Sequence, residues 1–177
     1  MVKSSDKRFG TVAIALHWTL AVLILVLLGS GFRSGFSADA STKAAVLRVH
    51  IPVALAVLVL TPGRVIWWWR FDKKPAPLAV SPAWQDPVAR GTHLTLYLLV
   101  FAMLGGGIAL SILSGAPDAV FGAAPLRDFE QFAPRTLQGI GALLLAGLVA
   151  LHGAAGLHHH FVRRDATLRR MWFGRGA

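Results

Sequence analysis

Four histidines, His17, His50, His93 and His152, each lie inside or at the mouth of a long apolar stretch of this 177-residue chain. An ionisable side chain at membrane depth is costly, so it faces a bundle interior or a cavity. Imidazole in such a place is a natural axial ligand for haem iron. The residue types therefore imply redox chemistry on haem inside a membrane.

Depth along a helix follows from the rise of 1.5 Å per residue, counted from the flanking charges. His17 is nine residues past Arg8, roughly 13 Å from one edge. His152 is eleven residues before Arg163, roughly 16 Å from the same edge. Two axial imidazoles on separate helices need this equality of depth. The small residues Gly147, Ala150, Gly153, Ala154, Ala155 and Gly156 leave room beside His152 for a flat macrocycle. The plainer alternative is a polar pair hydrogen-bonding between helices.

A second level lies at the inner rim. His93 follows Arg90 by three residues and His159 precedes Arg163 by four. His159 shares a helical face with His152, seven residues earlier. His93 and His159 are candidates for a quinone headgroup, a proton relay or another ligand pair; ordinary interfacial histidines are the alternative. The run His158-His159-His160 resembles a metal-binding tract, but three consecutive residues point around a helix and do not converge on one ion. At the outer edge, His50 lies two residues past Arg48, and Gln138 lies three past Arg135 and 14 before His152. The outer level thus sets a histidine against an amide, a poor ligand for haem iron.

These side chains require long helices to carry them. The chain is 55% hydrophobic with a mean hydropathy of +0.59, concentrated in blocks 11–32, 49–69, 91–114 and 137–157. Each reaches the ~20 residues that cross a hydrocarbon layer. The pattern predicts an all-α, four-helix transmembrane bundle, one domain over 1–177, with helices at roughly 9–33, 43–70, 88–114 and 135–162. The first block carries His17 and lacks a small-residue cleavage site, so it reads as a span, not a signal peptide. Pro62-Gly63 predicts a kink, Trp67-Trp68-Trp69 an interfacial belt, and Gly105-Gly106-Gly107 a close helix approach. Residues 72–87, with four prolines, form one connector, and 115–136 the longest external loop. With no cysteine, disulfides, iron–sulfur ligation and C-x-x-C-H haem attachment are excluded.

The net charge of +10 is topological. With the N-terminus cytoplasmic, 13 of the 18 basic residues fall inside, and only Arg33, Lys43, Arg48, Arg127 and Arg135 outside. That asymmetry places both termini in the cytoplasm and gives no reason to expect nucleic acid.

The chain resembles the bacterial cytochrome b561 family over nearly its whole length. The matching signatures are Arg8-Phe9-Gly10 with Leu16-His17-Trp18, Arg48-Val49-His50, Thr92-His93-Leu94 with Tyr97, Leu151-His152 through His159-His160-Phe161, and Arg164-Asp165 with Leu168-Arg169-Arg170-Met171. The resemblance implies two b-type haems and electron exchange with quinone. By that pattern His17 and His152 hold the inner haem, and His50 holds the outer one with a histidine where Gln138 stands. Ala54 replaces the family's usual glycine.

The expectation is a membrane b-type cytochrome of the bacterial inner membrane, carrying electrons between quinone at the inner face and a periplasmic or membrane redox partner. One haem b is expected at His17 and His152; the second is in question at Gln138. Bis-histidine ligation leaves no open iron position and favours electron transfer; quinone oxidoreductase activity is left open. Arg64, Arg48 and Arg135 are candidate partners of haem propionates, or else snorkel to the membrane edge. Besides lipid and quinone, a second copy of the chain stands as a candidate partner. The rivals are a cytochrome b subunit of a hydrogenase or formate dehydrogenase complex and a His-lined metal or proton transporter without haem. The absence of Asp and Glu from the four spans argues against the transporter.

Overall fold

Four helices long and apolar enough to cross a membrane make up most of the chain in a computed structural model, which describes residues 1–76 and 82–172. They are α1 (Thr11–Phe36), α2 (Ala40–Ile66), α3 (Gln85–Ser114) and α5 (Ala133–Phe161); the short α4 (Ala116–Phe121) lies in the connector between α3 and α5. No strand occurs among the described residues. At 1.5 Å per residue, the 26 residues of α1 extend about 39 Å, beyond the ~30 Å of hydrocarbon.

Local chemistry sets the ends. Asp39 caps α2 by accepting from the Thr42 backbone N–H at 2.7 Å. Gly115 ends α3 in the left-handed region at φ 67°, which suits a residue without Cβ. The chain stays helical through Pro62-Gly63, and its irregularity falls one turn later as a π-helical turn, Trp67–Phe71. α3 starts at Gln85, where Asp86 pairs with Arg90 one turn on.

α1 packs along α2, and α3 along α5, while far fewer residues meet between these two pairs. All four helices contribute to the small core of Leu20, Val57, Val100, Leu104 and Leu145. Large apolar side chains such as Val22, Leu55, Val59, Ile112 and Leu143 stay exposed, which a bilayer would cover.

Residues 1–10 and the segment 164–172 meet at one pole, called here the terminal pole. Asp72, which follows the π turn, accepts from the Ser4 backbone N–H at 3.0 Å, the Ser4 hydroxyl at 2.8 Å and Trp67 Nε1 at 3.2 Å. Arg170 donates to the carbonyls of Asp6, Lys7 and Ala76. Trp18 Nε1 donates to the Met171 carbonyl at 2.7 Å, and Arg8 to that of Trp172. Of the tryptophans expected as a belt, only Trp69 is strongly exposed, at 83%. Trp67 turns to Asp72, and Trp68 packs edge-on against Phe9.

Candidate functional site

α1 and α5, which belong to different packed pairs, bring His17 and His152 together with ring centres 6.3 Å apart. Imidazoles sharing one iron sit roughly 6 Å apart centre to centre, taking a metal–nitrogen bond of about 2 Å as for zinc. His93 of α3 also joins them, 5.3 Å from His152. That separation is too short for two ligands on opposite sides of a metal, so His93 is a neighbour of the pair.

This placement of His93 departs from the depth reading, which set it at the rim with His159. The count began at Arg90, which lies five residues inside α3, exposed and paired with Asp86. His93 is eight residues into the helix, about 12 Å deep. His159 stays at the rim. Its Nδ1 bonds the Asp165 carboxylate, which also accepts from the Thr167 backbone N–H at 2.8 Å. Arg164 turns the chain back to make this contact and takes a left-handed φ of 52°, strained for a residue with a Cβ. Burial would raise the Asp165 pKa, but the hydrogen bonds of Thr167 and His159 outweigh it and lower it to about 2.

The setting of His17 tests whether haem suits these residues. Arg64 of α2 places Nη1 2.9 Å from His17 Nδ1. A guanidinium only donates, so Nδ1 accepts and the ring proton sits on Nε2. Arg64 Nε and Thr61 Oγ1, one turn apart on α2, are the buried side-chain polar atoms without a partner among the described residues. Orphaned donors of this kind are rare and call for an explanation. A macrocycle bearing carboxylates would supply acceptors, and the opposed imidazoles would supply its ligands, so the residues fit the group.

One detail of the sequence reading is corrected. Gly147, Ala150 and Ala154 lie on the far side of α5 from His152 by the 100° rotation per residue, and all three are exposed. Of the small residues named, Ala155 and Gly156 come nearest the His152 face, and Leu168 lies against Gly156. The two helix pairs themselves meet through few residues.

At the distal pole the expected facing of His50 and Gln138 gives way to separate commitments. His50 Nδ1 bonds Ser30 Oγ of α1 at 2.8 Å, and Ser30 donates onward to the Val26 carbonyl at 2.6 Å. Gln138 Nε2 donates to the Met103 carbonyl of α3 at 2.8 Å. Two of the three arginines offered for propionates are engaged elsewhere. Arg48 donates to the Val120 carbonyl of α4 at 3.0 Å, and Arg135 pairs with Glu130 at 3.0 Å. Among the described residues no group of three His, Cys, Asp or Glu side chains converges to hold a metal ion, the His158-His159-His160 run included.

Sequence reasoning missed three features of the terminal pole: His93 in the cluster, the anchoring role of Asp72, and the orphaned Thr61. Asp72 carried a legible signal, as an acidic residue closing a run of four aromatics and one arginine in an acid-poor chain. Thr61 carried none, because its isolation depends on packing.

Helices of membrane length that bring two interior imidazoles within 6.3 Å fit a membrane b-type cytochrome. Comparison with known proteins gives the same class. The profile of the prokaryotic cytochrome b561 family matches residues 8–174, and the chain belongs to that family. It is 28% identical to cytochrome b561 homolog 2 of Escherichia coli (strain K12), over 95% of this chain and 93% of that one. It is 29% identical to cytochrome b561 homolog 1 of the same organism, and 29% to the probable superoxide oxidase CybB of Yersinia pestis; each match covers 93% of this chain and 96% of the relative. Membership makes the chain a multi-pass bacterial membrane protein of electron transfer and implies b-type haem.

Proposed function

We propose that the chain carries electrons between quinone at the terminal pole and a second redox partner, through a haem b held by His17 and His152. The observation that carries this reading is the 6.3 Å opposition of the two rings beside the unpartnered Arg64 Nε and Thr61 Oγ1. When bound, haem would supply a one-electron iron couple, and His17 and His152 would hold it.

The residues divide the remaining work. Arg64 holds His17 through its Nδ1 at 2.9 Å and has a further donor, Nε, to spare, so it would suit an acidic group of the cofactor such as a propionate. Asp165 only accepts, so it fixes the proton of His159 on Nδ1 and leaves Nε2 to exchange a proton with a quinone headgroup or water. His93, 5.3 Å from His152, adds a third imidazole to the buried cluster. The excess of basic residues at this pole supports a cytoplasmic location for both termini.

A visible spectrum of the purified membrane protein tests the reading. Sharp α and β bands on reduction, haem extracted by acid–acetone, and reduction by a short-chain quinol are the expected results. A colourless folded protein overturns it.

A further inference from the structure

We infer that this chain is a one-haem member of its family, with a distal pole closed by its own side chains. The inference rests on the haem reading above and concerns the second site that the family pattern implies.

Ser30, which holds His50, lies 13 residues from His17, and Gln138 lies 14 from His152. Both are therefore about 20 Å along their helices from the His17–His152 pair, at the level where a second pair of ligands belongs. Gln138 occupies a built seat there. Its amide donates to the Met103 carbonyl, and the side chain lies over Gly106 and Gly107, where an added Cβ would come within 3.3 and 3.1 Å of Nε2. The Met103 thioether fills the notch that Gly141 leaves on α5, so closely that a Cβ there would collide with the sulfur. Arg48 and Arg135 are spent on Val120 and Glu130. Among the described residues of this pole His50 alone presents an imidazole, and the side chain at the matching level of α5 is the amide of Gln138.

The two poles differ in what they leave unmade. Arg64 Nε and Thr61 Oγ1, the orphaned buried polar atoms among the described residues, belong to the terminal half, where a cofactor would satisfy them. At the distal pole Gln138, Arg48 and Arg135 are satisfied within the protein. No cofactor relay therefore spans the membrane, and electrons enter and leave through the terminal half.

The test is the haem-to-chain ratio of the purified protein, saturated with added haemin, by pyridine haemochrome against quantitative amino-acid analysis. It is repeated on His50→Ala and Gln138→Ala, each recovered as a monodisperse peak. One haem per chain in all three proteins, with one low-spin signal in electron paramagnetic resonance, is the expected result. A second haem of either spin state that His50→Ala removes overturns the inference and leaves the proposed function standing. No haem in any protein overturns both. Should His50→Ala fail to fold, the ratio and signal count of the unaltered protein decide alone.

Discussion

Arg64 holds His17 through one hydrogen bond and has a further donor to spare. The 2.9 Å contact from Nη1 uses the lone pair of Nδ1, and Nε has no partner among the described residues. The arginine would thus suit an acidic group of the cofactor. Arg64→Gln should weaken haem binding by about 10- to 100-fold, the usual size of a lost outer partner at a metal site. The low-spin spectrum should persist, because both ligands remain. Haem titration of the apoprotein measures the affinity, and an unchanged affinity would remove Arg64 from the site.

His17→Ala and His152→Ala should each abolish the low-spin spectrum, and the double variant should do little more, since both residues serve one iron. His93→Ala should keep it. At 5.3 Å from His152, His93 is too near to be its opposite ligand. If His93→Ala loses the haem and His17→Ala retains it, the ligand pair is misassigned.

Asp72 ties three parts of the chain at the terminal pole, through Ser4, Trp67 and the Lys73 backbone N–H. Burial opposes its ionisation, but the Ser4, Lys73 and Trp67 bonds outweigh it and hold its pKa below the usual carboxylate range. A carboxyl group with a depressed folded pKa stabilises above its unfolded value and loses that contribution as the pH falls. The pole should therefore loosen on acidification below about pH 4. Asp72→Asn should cost about 1–3 kcal/mol at neutral pH by leaving donors unpaired. Tryptophan fluorescence during thermal or acid unfolding reads both effects; an unchanged Asp72→Asn protein would show the tie to be idle.

What the sequence revealed follows from the physics of each feature. Spans were legible because apolar runs of membrane length have few other uses, and the meeting of His17 and His152 because depth is counted along regular helices. His93 was misplaced because a charged residue marks a membrane edge only when it lies there, and Arg90 instead pairs with Asp86 one turn into α3. The directions taken by Gln138 and His50 were hidden because equal depth does not fix rotation or neighbour. The face of α5 that carries Gly147 and Ala150 was misjudged by reading small residues as room without turning them about the axis.

Asp165→Asn should keep haem content and spectrum while slowing quinol-driven reduction. The asparagine can offer its amide N–H to His159 Nδ1, so the ring is free to take the other tautomer. Asp165→Glu should recover part of the rate. The Asp165 pKa of about 2 lies below its unfolded value of about 3.9, so the contact holds throughout neutral pH and weakens only as the pH falls from about 4 toward 2. Stopped-flow reduction of both variants between pH 6 and 8 measures the role. Equal rates and pH profiles in all three proteins would leave the carboxylate a purely structural tie.

Gln138→His should raise the haem-to-chain ratio toward that of a two-haem protein. The substitution supplies an imidazole at the level of His50, about 21 Å along α5 from His152. It also vacates the amide seat over Gly106 and Gly107. His50 needs no rearrangement to take part: Ser30 gives its own proton to Val26, so His50 donates from Nδ1 and keeps the Nε2 lone pair. The Met103 thioether in the Gly141 notch is the remaining obstruction, and Met103→Ala in the same chain should increase the gain. A second low-spin signal that appears with Gln138→His and vanishes when His50→Ala is added is the expected outcome. If neither Gln138→His nor the Met103→Ala combination binds more haem than the unaltered chain, one missing ligand is not what closes the distal pole.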